Sequence, residues 1–191
     1  MKETLWERCV AFHGHSCPGL AIGFRAALEG MSALGLPLQP VQDEDLVCVS
    51  ENDACGVDAV QVLTGCTLGK GNLLLRPTGK MAFSFFLRES GRSVRVLLRP
   101  IPRDAMTREE RRLYLLHGPP QELFVFGKPA FPLPERARLF ESRVCELCGE
   151  SAPEHNMRLQ NGKLVCLDCF QDYTRGWFTP VRPATKGELR S

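Results

Sequence analysis

The chain has 191 residues, 43% of them hydrophobic and 24% charged, with a formal net charge of +2. That profile suits one sizeable core plus a small module, and it lacks the basic excess that would draw a chain to nucleic acid or a membrane surface. No apolar run is long enough to cross a bilayer, and no secretory leader is recognisable. The nine cysteines are therefore expected as thiols or metal ligands in a reducing cytoplasm, and not as disulfides.

The N-terminus reads as a helix, with Thr4 and Glu7 spaced as a capping box. Leu5, Cys9 and Phe12 fall on one face of it, and Cys9 reads as a core residue. The helix delivers the chain to His13-Gly14-His15-Ser16-Cys17-Pro18-Gly19. In an extended segment His13, His15 and Cys17 would share one face. Pro18 suits the first turn of a helix, which places Cys17 at a helix N-terminus, where a thiolate is favoured. That helix is expected to run to about Gly35 with Leu20, Phe24, Ala27, Leu28 and Met31 inward. Arg25 on it is a candidate for holding an anionic group, or for a structural ion pair.

Leu36 to Pro40 is a turn, and Asp43-Glu44-Asp45 a short acidic surface run. Leu46–Ser50 reads as a buried strand, followed by Glu51, Asn52 and Asp53, which are placed to line a crevice. Any of the three is a candidate proton carrier or partner to a metal ligand, and Asp53 is alternatively a cap for the next helix. Cys55 opens the next helix, Val57 to Leu63, with Asp58 as the far member of a weak capping box. His15, Cys17 and Cys55, with His13 or a water, make a four-coordinate N/S site for zinc or a similar metal. Cys17, Cys55 and Asp53 are the catalytic candidates at such a centre.

Gly65-Cys66-Thr67-Leu68-Gly69-Lys70-Gly71-Asn72 fails as a phosphate loop, because a residue is missing between the glycines and no Ser or Thr follows Lys70. Lys70 and Asn72 remain candidate donors to an anionic ligand; the plain alternative is a sharp turn between helix and strand. Cys66 is either a further ligand or a buried thiol. Leu73–Arg76, Met81–Leu87 and Ser93–Leu98 read as an antiparallel meander. Thr107 and Glu110 form a second capping box, opening a helix that runs to Gly118, with His117 at its end. Seven arginines between Arg92 and Arg112 face three acids, most simply a solvated surface.

The motifs His13-Gly14-His15-Ser16-Cys17-Pro18-Gly19-Leu20, Asp53-Ala54-Cys55-Gly56-Val57-Asp58-Ala59, Thr64-Gly65-Cys66-Thr67-Leu68-Gly69-Lys70-Gly71-Asn72-Leu73 and Gly79-Lys80-Met81-Ala82-Phe83 together resemble the FmdE family of formylmethanofuran dehydrogenase proteins. The resemblance covers the first two-thirds of the chain. It implies an α+β core, a metal-binding cleft and dimerisation. The family's name refers to a molybdenum or tungsten enzyme that interconverts carbon dioxide plus methanofuran with formylmethanofuran, although similar proteins occur outside methane metabolism.

Pro129 to Pro134 reads as a stiff linker, with a short helix expected over Glu135 to Ser142. Cys145-Glu146-Leu147-Cys148 and Cys166-Leu167-Asp168-Cys169 are two CxxC knuckles at the spacing of a structural four-cysteine zinc site. Asn161-Gly162 predicts a hairpin between them, and His155 reads as a bystander. Residues 143–175 hold four basic and five acidic side chains, so nucleic acid is not the expected partner. Trp177, Phe178 and Tyr173 are assigned instead to anchoring the module.

The expectation is thus a core of helices on a mostly antiparallel sheet (1–128), a linker with a short helix (129–142), a zinc ribbon (143–175) and a tail (176–191). It carries one structural Zn2+ and a second transition metal, taken as zinc, in the core. The expected role is an accessory or small-molecule-handling component of one-carbon redox metabolism, homodimeric, with a molybdenum or tungsten oxidoreductase as a possible partner. A free-standing metalloenzyme or a zinc-ribbon adaptor are the alternatives.

Overall fold

A computed structural model describes residues 2–41, 44–102 and 106–173. Asp43, Arg103, Asp104, Arg175, Trp177, Phe178 and the tail 176–191 lie outside the described residues. The chain divides into two compact units, one ending at Ala137 and the other beginning at Arg138. No helix among the described residues is long and apolar enough to cross a membrane.

The first unit opens with α1 (Lys2–His13) and α2 (Pro18–Ala33). Thr4 lies inside α1 rather than before it, so it cannot cap the helix start. Leu5 and Cys9 are buried as expected, but Phe12 is 60% exposed. Pro18 occupies the first turn of α2, and its apolar positions Leu20, Phe24, Ala27, Leu28 and Met31 are all buried. The helix stops at Ala33, and Gly35 follows in the left-handed conformation at φ +68°, which glycine adopts without steric cost.

Next come β1 (Leu46–Ser50), α3 (Gly56–Thr64), β2 (Leu73–Leu75), β3 (Ala82–Leu87) and β4 (Ser93–Leu98). They are followed by α4 (Arg108–His117), α5 (Pro120–Leu123) and β5 (Phe124–Gly127). The sheet order is β2-β1-β3-β4-β5, parallel only between β1 and β2. The fold is α+β.

The expected meander is only half present. β3 and β4 form a hairpin, but β2 and β3 flank β1 on opposite sides. The segment between them crosses the carboxyl end of β1. The Thr78 N–H donates to the Glu51 carbonyl at 3.1 Å, while the Glu51 N–H donates to the Ala82 carbonyl at 2.9 Å. A short link carrying Pro77 and Gly79 looks like a hairpin turn in sequence, yet here it bridges over a third strand.

The pleat alternates side chains between faces. Leu46 and Cys48 of β1, Phe83 and Phe85 of β3, and Val94 and Val96 of β4 join the helices in the main core. Val47, Val49 and Phe86 form a second cluster on the other face, against Leu74, Phe131 and Leu133. The proline-rich segment therefore packs on the sheet, with the Phe131 ring 5.9 Å from Phe86. The Arg88 guanidinium holds the carbonyls of Pro134 and Glu135. The expected helix over 135–142 does not form: residues 135–141 are irregular.

The second unit contains two hairpins, β6 (Ser142–Val144) with β7 (Ser151–Pro153) and β8 (Met157–Gln160) with β9 (Lys163–Cys166). Asn161 and Gly162 turn the second hairpin with φ +53° and +78°, the pattern of a type I′ turn. Its small core is Cys145, Met157, Val165 and Cys166.

Candidate metal centres

The two cysteine knuckles are the clearer site. The sulfurs of Cys145, Cys148, Cys166 and Cys169 all lie within 4.8 Å of one another. Gly149 turns under the first knuckle at φ +76°, and its N–H donates to the Cys145 carbonyl at 2.9 Å. Backbone N–H groups of Cys148 and Cys166 aim at the Cys145 sulfur and pull its thiol down to about 6. Four sulfurs in this arrangement match tetrahedral zinc and leave no open position. His155 stacks on Phe140, centroids 4.0 Å apart, and stands outside the group.

The second site forms where α1 gives way to α2, and its backbone is not the extended segment that alternation suggests. His13 is the last residue of α1. Gly14, at φ +88°, closes that helix with its N–H on the Val10 carbonyl at 2.8 Å. The reversal brings the His15 ring within 4.5 Å of the His13 ring. Cys17 is extended, caps α2, and its Sγ accepts the Leu20 N–H at 3.3 Å. His13 Nε2 stands 3.9 Å from Cys17 Sγ. One atom from each of His13, His15 and Cys17 falls within a common 4.8 Å span.

Asp58 is the member that sequence spacing assigns wrongly. Its carboxylate makes no cap for α3; Cys55, at the cap position, has helical φ and ψ and no side-chain cap bond. Instead Asp58 Oδ2 meets His13 Nδ1 at 2.7 Å. A carboxylate on one ring nitrogen fixes the tautomer and frees the other nitrogen for a metal. The signal is present in the first turn of α3, but local spacing favours a local bond.

Cys55 arrives from α3. The sulfurs of Cys55 and Cys17 flank one point above Gly19, where an added Cβ would stand 3.5 and 3.8 Å from them. Burial, and then the neighbouring Cys17 thiol, push the Cys55 thiol up. Cys55 therefore lies beside Cys17 but outside the tight His13–His15–Cys17 group. Cys17 is 4% exposed, Cys55 is half-buried and His15 is exposed. Two imidazoles and a thiolate suit zinc, with copper, iron and nickel also within reach of such ligands.

This convergence rests on glycine. A Cβ on Gly23 would stand 1.9 Å from the Gly56 carbonyl oxygen, so α2 and α3 cross backbone to backbone.

The remaining candidates lie outside this group. Asp53 is exposed and stands outside the His/Cys group. Lys70 Nζ reaches the Val41 carbonyl at 3.5 Å. Asn72, buried, accepts the Thr67 N–H at 2.9 Å and donates to the Leu46 carbonyl at 3.1 Å, bracing its loop. Arg25, also buried, donates to the Leu116 carbonyl at 2.5 Å and to Glu29 at 3.0 Å. Cys66 is a core thiol that donates to the Leu46 carbonyl at 3.3 Å. Glu51 is paired with Arg95 at 2.5 and 3.1 Å and receives the Thr78 hydroxyl at 3.2 Å. These bonds hold its carboxyl below the ordinary carboxylate range. By strand alternation Glu51 and Arg95 face away from the helices, so Glu51 is not a proton carrier for this centre.

Fold and sites together define a two-unit chain with a candidate metal-binding group in each part, one of histidine and cysteine, the other of four cysteines. Residues 12–122 match the family described as "FmdE, Molybdenum formylmethanofuran dehydrogenase operon", more than half of the chain. The chain belongs to this family. Residues 138–175 match the prokaryotic dksA/traR C4-type zinc finger. A crystal structure of a tungsten formylmethanofuran dehydrogenase FmdE-like protein from Syntrophus aciditrophicus is similar, with TM-score 0.65 and 25% identity over 88% of this chain and 91% of that one. A protein from Archaeoglobus fulgidus bearing the name "Probable S-adenosyl-L-methionine-binding protein" is 31% identical over 87% of this chain. The present chain spans 52% of that protein's length.

Proposed function

We propose that the chain carries two metal ions with different tasks. The ribbon's zinc replaces a hydrophobic core that so short a segment cannot build. The other ion is held by His13, His15 and Cys17 with Cys55 alongside, and it handles a small molecule as an accessory step of one-carbon redox metabolism. The observation that carries this reading is the trio of ligand atoms within 4.8 Å, with Asp58 orienting His13. Three ligands and an exposed His15 leave room for an exchangeable position, which a purely structural ion would not need. A bound ion there would supply Lewis acidity; the chain's own contribution is to hold His13 Nε2 and Cys17 Sγ ready and to keep Cys17 out of bulk water. The name of the Archaeoglobus relative supports small-molecule handling, and the family supports association with a molybdenum or tungsten oxidoreductase. A homodimer in the cytoplasm is the setting we propose.

The experiment is metal analysis of the purified protein and of Cys17→Ser. The wild type should carry two equivalents and the variant one, with the ribbon's zinc retained. A variant with an unchanged metal content overturns the core centre.

A further inference from the structure

We propose that Cys17 and Cys55 form a redox-active dithiol, closing reversibly to a disulfide that withdraws Cys17 from the core ion. The inference rests on the core metal site proposed above and adds an activity to it. Two sulfurs from distant points of the chain both approach Gly19: a Cβ there would stand 3.5 Å from the sulfur of Cys55 and 3.8 Å from that of Cys17. One of the two is a member of the tight ligand group and the other is not. Their exposures also differ: Cys55 is half-buried whereas Cys17 is 4% exposed. Cys55 makes no side-chain cap bond, whereas Cys17 Sγ accepts the Leu20 N–H at 3.3 Å.

That asymmetry sets the order of events. A low-molecular-weight disulfide meets the Cys55 thiolate first; attack breaks the S–S bond, releases one small thiol and leaves a mixed disulfide on Cys55. The Cys17 thiolate then attacks the Cys55 sulfur and displaces the second small thiol. Two protein thiols are oxidised, one small disulfide is reduced to two thiols, and the two protons pass to the leaving thiolates. A sulfur in a disulfide is no longer a thiolate and cannot hold the ion, so the site is left with two imidazoles. A small thiol in excess reverses both steps.

The other core thiols do not offer this chemistry. Cys9, Cys48 and Cys66 are fully buried, closed to an oxidant in solution. The ribbon's four sulfurs form a complete zinc set. Of the described cysteines outside that set, Cys55 alone is accessible and has a thiol neighbour.

The test uses the full chain, treated with oxidised glutathione, digested without reduction and mapped by fragmentation mass spectrometry. Expected is a Cys17–Cys55 link with loss of two hydrogens, release of one metal equivalent, and reversal by reduced glutathione. Cys48→Ser and Cys66→Ser should keep the link; Cys55→Ser should lose it and hold its core ion against the oxidant. Absence of the link in protein first stripped of metal, where ligation cannot protect Cys17, overturns the proposal, as does equal linking of Cys17 to Cys9. The stripped-protein arm also separates the two claims. A link in a chain that never carried a second ion keeps the dithiol and removes the core centre; an ion with no link does the reverse.

Discussion

Replacing Gly23 by alanine tests the helix crossing that brings the core ligands together. The new Cβ would fall 1.9 Å from the Gly56 oxygen and 2.4 Å from its carbonyl carbon and Cα, where ordinary contact begins at 3.4 Å. All three obstacles are backbone atoms, so no side-chain rotation relieves them and α3 must move as a body. Overpacking of this kind costs about 3 kcal/mol, and the better helix propensity of alanine returns about 1. The net loss of about 2 kcal/mol lowers Tm by roughly 8 °C for a unit of this size. A displacement of an ångström or more also exceeds the tolerance of about 0.2 Å on metal–ligand distances. Cys55, Asp58 and with it His13 shift relative to Cys17. Differential scanning fluorimetry together with metal analysis should show a lower Tm and one equivalent lost, with the ribbon's zinc kept. Gly69→Ala is the control, since nothing lies within 4 Å of its Cβ position and the change should stay within about 0.5 kcal/mol. A Gly23→Ala protein with wild-type Tm and both ions would refute the reasoning.

Two other perturbations address single bonds. Asp58→Asn leaves a neutral amide against His13 Nδ1 and should weaken the core ion's binding by about 10–100-fold, measured by competition with a chromogenic chelator, while Tm of the metal-free protein changes little; unchanged affinity would remove Asp58 from the site. Glu51→Gln breaks a buried pair and should cost about 3 kcal/mol at pH 7. Because Arg95 lowers the folded-state value below the ordinary 4.5, the pair's contribution is full above 4.5 and fades as pH falls through that lowered value. The Tm gap between wild type and variant should therefore close in acid, and a gap that ignores pH would show that the pairing charge is not what stabilises.

What is legible in the sequence divides by range. Pro18, the Thr107–Glu110 box and the Asn161-Gly162 turn act through neighbours a few residues away, and each stands where its spacing puts it. The ribbon's ligands come in two short knuckles and are equally plain. Asp58 is easily misread because the sequence shows its distance to Cys55, three positions, and hides its distance to His13, forty-five positions along the chain but 2.7 Å in space. Strand order fails for the same reason: nothing local tells the link at Pro77 to pass over the end of β1. The expected helix after Pro134 is absent, and the segment is instead held by a side chain distant in sequence, Arg88, bonded to the Pro134 and Glu135 carbonyls.

The grouping of His13, His15 and Cys17 follows from the sequence only by a wrong route, and the difference matters for chemistry. An alternating strand would hold three side chains in a row on a sheet face, with about 7 Å between successive Cα atoms of the row. The αL glycine at position 14 folds that row into a corner, which shortens the spacing to ligand distance and leaves His15 at the solvent edge. Asp58 then enters from α3 on the same side, while strand alternation puts Glu51 and Arg95 on the other face of the sheet. The carboxylate bonded to the His/Cys group is therefore Asp58, on His13 Nδ1 at 2.7 Å, and the buried Glu51–Arg95 pair lies at the end of β1 and on β4.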